Sequence, residues 1–199
     1  APNFAKAGLK GKEMNIALEL KMLADVGLVG LPSAGKSTIL SMVSSAKPKI
    51  ADYHFTTLSP ILGVVDAKAG GFVLADIPGL IEGAHEGLGL GHEFLRHIDR
   101  CRILVNVVDA SGQEGRDPLE DIETIRRELE LYNPELLSRP MFLAANKIDM
   151  MSDETKERLT AYAKENDLPL FFMCAGIGEG VRELVEAVSA KLRELPPLK

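Results

Sequence analysis

The chain has 199 residues, a length that suits one domain burying a substantial core without disulfide or metal staples. Apolar residues make up 46% and charged residues 26%, and no apolar run approaches the roughly eighteen residues of a membrane span, so nothing is expected to cross a bilayer. The net charge of -6 argues against sequence-independent nucleic-acid binding as the main task, which needs a basic footprint; a local basic patch stays open.

Residues 1–12 are small, Gly-containing and cationic, and read as a linker. They lead into residues 14–22, where Ile16, Leu18 and Leu20 alternate with Ala17, Glu19 and Lys21 in a strand pattern. The chain opens on Ala1 with no charged and apolar leader, as expected of a fragment or processed product rather than a secreted precursor. Short apolar runs follow at 26–29, 61–65, 72–75, 103–108, 141–145 and 170–173, several of them uniformly apolar, as strands covered on both faces require. Between them, Leu119, Ile122, Ile125, Leu129 and Tyr132 step by three or four, as do Val181, Leu184, Val185, Val188 and Leu192. Strands alternating with helices predict a doubly wound α/β sheet. The short 66–71 connection joins its neighbours as a hairpin, which predicts one antiparallel edge strand.

The two cysteines, Cys101 and Cys174, stand far apart and outside any C-x-x-C pattern. They suggest neither a zinc site nor a disulfide framework, and they suit a reducing cytosol. His92 and His97 lack the companion ligands of a zinc site; a surface helix accounts for them.

After the first apolar run comes Gly30-Leu31-Pro32-Ser33-Ala34-Gly35-Lys36-Ser37, followed by the helical segment that begins at Thr38. This is G-x-x-x-x-G-K-[ST] between strand and helix, the phosphate-binding P-loop. Its backbone N–H groups converge on phosphates at the positive end of a helix, Lys36 reaches the β- and γ-phosphates, and the Ser37 hydroxyl ligates Mg²⁺. The base is chosen by Asn146-Lys147-Ile148-Asp149 at the end of the 141–145 run. Guanine offers N1–H and an exocyclic amine to one carboxylate, and adenine lacks that pair, so Asp149 selects GTP over ATP. Asn146 can address N7 and tie neighbouring loops together, while the Lys147 stem can lie along the base plane.

Asp76-Ile77-Pro78-Gly79 follows another apolar run. Asp76 can hold a water on Mg²⁺, and the Gly79 N–H can reach the γ-phosphate. Upstream, Phe55-Thr56-Thr57 places a threonine where it can close on Mg²⁺ and the γ-phosphate; Thr57 is favoured, with Thr56 the rival. Glycines at 79, 83, 87, 89 and 91 suit a segment that orders around a γ-phosphate and releases after hydrolysis. Leu80 stands where Ras-like enzymes place a water-orienting Gln, and its alkyl side chain cannot do that work.

Taken together, GLPSAGKST, KPKIADYHFTTL, DIPGLIEGAHEGLGLGHEFLRHI and NKID resemble the Obg family of bacterial GTPases, and the likeness extends over nearly the whole chain. The resemblance implies a P-loop NTPase three-layer sandwich with a mostly parallel six-stranded sheet. It divides the chain into residues 1–23, a connector and the tail of an N-terminal domain, and residues 24–199, a monomeric GTP-binding domain. It further implies Mg²⁺-dependent GTP hydrolysis to GDP, a cytoplasmic location, and association with the large ribosomal subunit during its assembly. Two departures stand out. Ser33 occupies a position that is often Asn, the residue with which some relatives hold an activating K⁺, so weak or absent K⁺ stimulation is expected. The guanine-contacting loop, usually Ser-Ala-led, reads Cys174-Ala175-Gly176, and a backbone contact from Ala175 to the guanine oxygen is expected to survive. Two other classes stay open: a guanine-nucleotide sensor with negligible turnover, favoured by Leu80, and an ATP-using P-loop protein, which Asp149 argues against.

Overall fold

The computed structural model describes residues 11, 24–50, 60–77, 98–99, 101–113 and 115–196. Among them seven strands form one sheet: β1 (Val26–Val29), β2 (Lys49–Ile50), β3 (Ile61–Val65), β4 (Phe72–Asp76), β5 (Ile103–Asp109), β6 (Met141–Asn146) and β7 (Leu170–Phe172). Their order is β2-β3-β4-β1-β5-β6-β7, parallel from β4 through β7. The six expected strands are all present. The strand β3 runs antiparallel to β4 across the expected hairpin, but two-residue β2 pairs outside it, so the reversed strand lies one place in from the edge. Two residues leave no room for an alternating pattern, which is why β2 carries no signal in the sequence. The segment 14–22 and the glycine-rich run 78–97 lie outside the described residues.

Four helices cover the sheet among the described residues: α1 (Lys36–Val43), α2 (Pro118–Tyr132), α3 (Asp153–Glu165) and α4 (Val181–Glu194). All seven residues of β5 are buried, and its side chains alternate between the two faces. Val105 and Val107 join Val26, Leu28 and Leu74 under Ile39 and Leu40 of α1 and Leu184, Val185 and Val188 of α4. On the other face, Leu104 packs with Val29 and Ala75 under Ile125 and Leu129 of α2. Val108, Leu143 and Ala145 meet Ile122 of α2 and Leu159 and Ala163 of α3. Both faces are thus sealed, which is what the uniformly apolar strands require.

The helix α3 has no strong apolar period. It buries only Leu159 and Ala163, so its signals are its ends: the Ser152 hydroxyl accepts the Thr155 N–H, Asp153 and Glu154 occupy the first turn, and Lys164 the last. No helix among the described residues is long and apolar enough to cross a membrane. With β1, β5 and β6 parallel, their C-terminal ends lie on one edge, and the loops leaving that edge build the candidate site.

Candidate functional site

Backbone geometry shapes the loop between β1 and α1. Gly30 has φ 148° and Gly35 φ 99°. A Cβ on Gly30 would collide with the carbonyl oxygen of Val107 on β5, and one on Gly35 with Nδ2 of Asn146. Both glycines are therefore fixed twice, by conformation and by space. Between them, Ser33 takes the left-handed conformation with φ 65°. Gly35 is the N-cap of α1 and supplies no side-chain hydrogen bond, so backbone amides make up that helix end.

Lys36 Nζ donates to the carbonyls of Gly30 at 2.8 Å and Leu31 at 3.0 Å, and the side chain is buried. Burial pulls the ammonium below its ordinary pKa, and the Asp76 carboxylate offsets part of that shift. The neighbouring Ser37 hydroxyl donates to Asp76 Oδ2. Asp76, at the end of β4, is 3% exposed, yet its Oδ1 has no hydrogen-bond partner among the described residues. A buried carboxylate oxygen left in this way is costly, and a hydroxyl beside it adds a second hard donor, a pairing that suits a divalent cation and its water. Among the described residues no group of three or more His, Cys, Asp or Glu could hold a metal. Such a cation would draw most of its ligands from phosphate and water, as Mg²⁺ does.

The base-recognition half is assembled from three segments. Asn146, at the end of β6, donates from Nδ2 to the Ala34 carbonyl at 2.9 Å, and its Oδ1 accepts the Ala175 N–H at 2.9 Å. One buried amide thus ties the phosphate loop to the loop after β7. The Ala175 N–H, expected to face the guanine oxygen, is directed to Asn146 Oδ1 in this structure, because a buried amide N–H must find an acceptor. Lys147 has φ 63° and sends Nζ to Asp109 Oδ2 at 2.5 Å. The Asp109 Oδ1 accepts from the N–H of Ser111 at 2.9 Å and its hydroxyl at 2.6 Å. Burial alone would push the Asp109 carboxyl up, but the hydrogen bonds from Lys147 and Ser111 outweigh it and hold the group below its ordinary range.

Exposed Asp149 sits in the short 3₁₀ turn Ile148–Met150, and Cys174 donates from Sγ to its Oδ1 at 3.2 Å. The thiol thus gives the carboxylate a side-chain hydrogen bond. That hydrogen bond, with burial, pushes the Cys174 thiol pKa upward.

The structure therefore gathers Gly30 through Ser37, Asp76, Asn146, Lys147, Asp149, Cys174 and Ala175 at one edge of the sheet. Thr38 and Gly176 lie nearby and exposed. Phe55, Thr56, Thr57, Gly79 and Leu80 lie outside the described residues. Sequence reasoning missed Asp109; an acidic residue closing a buried and mostly apolar strand, far from any motif, was its only signal.

A phosphate-binding loop joined at one strand edge to a guanine-type base loop defines the class as a P-loop nucleotide-binding domain. Comparison with known proteins narrows it. A family described as 50S ribosome-binding GTPase matches residues 25–147. GTPase Obg of Alkaliphilus metalliredigens is 60% identical over 98% of this chain and 46% of the relative, and GTPase Obg of Alkaliphilus oremlandii is 56% identical over 100% of this chain and 47% of the relative. The G domain of the T. maritima FeoB iron transporter shares the fold with a TM-score of 0.64 at 21% identity, over 84% of this chain and 97% of that one. The chain belongs to the 50S ribosome-binding GTPase family and, within it, to the Obg GTPases. It spans about half the length of the curated relatives it matches.

Proposed function

We propose that residues 24–199 form the GTP-binding domain of an Obg-type GTPase that binds GTP with Mg²⁺, hydrolyses it slowly to GDP and acts with the large ribosomal subunit in the cytoplasm. The observation that carries this reading is the Asn146 amide, which joins the phosphate loop to the base loop. A nucleotide held by one half is thereby presented to the other in fixed register.

In this reading the phosphate-loop amides and Lys36 bind the β- and γ-phosphates, and Asp149 accepts the two guanine donors. The Lys147 stem, tethered by Asp109, covers the base. Ser37 and Thr57 would hold Mg²⁺ directly and Asp76 through water; the ion, when bound, neutralises charge developing on the β- and γ-oxygens. The Gly79 N–H would meet the γ-phosphate. Leu80 offers no group to orient water, so intrinsic turnover is slow, on the order of 10⁻⁴ per second as in unassisted switch GTPases. The family description supports a ribosomal partner. With a net charge of -6, that contact would need a local rather than a global basic surface.

Steady-state GTP turnover of the full-length protein, with and without large ribosomal subunits, tests the reading. Slow release of GDP that rises with the particles is the expected result. Absence of any GTP hydrolysis in either arm would replace the enzyme by a sensor.

A further inference from the structure

The loop that follows β5 reaches back to the phosphate loop through one arginine. Arg116 Nη2 donates to the carbonyl oxygen of Pro32 at 3.1 Å, while Arg116 Nε lies 3.6 Å from Asp121 Oδ2 in the first turn of α2. Asp121 is buried, so the guanidinium is braced from the helix side.

Pro32 and Ser33 share one peptide unit. In a trans peptide the C=O and N–H point in opposite directions, so a carbonyl held toward Arg116 turns the Ser33 N–H away from it. Ser33 carries φ 65°, which is unfavourable for a residue with a side chain. Flipping the 32–33 peptide would relieve that strain by carrying Ser33 to negative φ. It would also swing the Pro32 carbonyl to the side where the amides of such a loop converge on phosphate, and a carbonyl there would repel the anion. The arginine bond opposes that flip, because breaking it would forfeit a charge-assisted acceptor.

We propose that Arg116 is a positioning residue for phosphate recognition: braced on Asp121, it holds the Pro32 carbonyl outward and so keeps the Ser33 N–H turned to the phosphate side of the loop. This rests on reading the domain as a guanine-nucleotide binder. Its effect belongs to the phosphates beyond the first, which the loop cradles, and not to the base.

Titration of the whole chain with GDP, GMP and ADP, beside Arg116→Ala, Arg116→Lys and Asp121→Asn, tests it. In Arg116→Ala, GDP affinity is expected to fall about tenfold and GMP affinity by less than about twofold, the scale of one charge-assisted hydrogen bond. Arg116→Lys, which keeps a single donor, recovers part of the loss, and Asp121→Asn shows a smaller loss of the same GDP-selective kind. Parallel loss of GDP and GMP would make Arg116 a structural clasp and overturn the proposal, as would unchanged GDP binding. Should Arg116→Ala fail to fold, the other two variants decide by the same ratio. The unmodified chain's preference for GDP over ADP reports separately on the nucleotide reading, whatever the variants do.

Discussion

The phosphate half and the base half of the site are built in opposite ways. Between Gly30 and Ser37 the working groups are consecutive, set by two glycines and a helix start. The base half gathers Asp109, Asn146, Lys147, Asp149, Cys174 and Ala175 from the ends of three strands, and side-chain hydrogen bonds hold it together. A site made of contiguous backbone resists substitution of most side chains; one made of side-chain links has a weak point at each link.

Asp149→Asn should give the largest effect that separates the halves. Losing a carboxylate that accepts two guanine donors is expected to weaken GTP by about 10² or more, and to improve xanthosine triphosphate, whose carbonyl oxygen in place of the exocyclic amine can accept from the new amide. Phosphate binding stays intact, so the variant keeps a nucleotide preference, but a different one. Competition between the two triphosphates reads this out, and unchanged preference for GTP would remove Asp149 from base recognition.

Asn146→Ala cuts the one residue common to both halves. Two buried hydrogen bonds are lost and two backbone groups, the Ala34 carbonyl and the Ala175 N–H, are left without that partner, at a cost of roughly 2–4 kcal/mol in stability. Urea unfolding measures it directly. A loss below about 0.5 kcal/mol would mean the halves are held together elsewhere.

A smaller effect is expected at Asp109, where the sign follows from its depressed pKa. Because the folded group sits below its unfolded value, the stability it contributes is fully present above the ordinary carboxylate range and is lost as pH falls through the folded value. Asp109→Asn should therefore be less stable than the parent at pH 7, by about 1 to 2 kcal/mol, and the gap should close on acidification. A gap independent of pH would show that the Lys147 tether is not what the mutation removes.

The smallest effect falls in the phosphate half. Asn tolerates the left-handed conformation that Ser33 already adopts, so Ser33→Asn should leave stability within about 0.5 kcal/mol. It adds an amide oxygen suited to a hard cation. GTPase rates in matched K⁺ and Na⁺ buffers should show little selectivity in the parent and a gain for K⁺ in the variant; strong K⁺ activation of the parent would show that the serine or the backbone suffices.

The same contrast decides what the sequence could reveal. The phosphate loop was legible because strand, glycines, lysine and helix follow one another, and the apolar runs marked six strands for the same reason. The tetrapeptide 146–149 was legible as a motif, but its supports were not. That Asp109 restrains Lys147, or that Cys174 reaches Asp149, depends on which strand ends the parallel sheet brings together, and no spacing in the chain encodes it. Local patterns also failed where they were too short or too polar, as in β2 and in α3, which buries only two residues. The hydrogen bond from the Ala175 N–H to Asn146 is likewise visible only in the fold.

The central claim is that these two unlike halves form one guanine-nucleotide site. Competition of GTP against ATP for the unmodified chain in the presence of Mg²⁺ tests it most directly. The expected result is a preference for GTP of at least about 10², because ATP offers Asp149 neither donor and leaves the carboxylate unmatched. Equal binding of the two triphosphates would contradict the claim, leaving a phosphate loop that works without the base half.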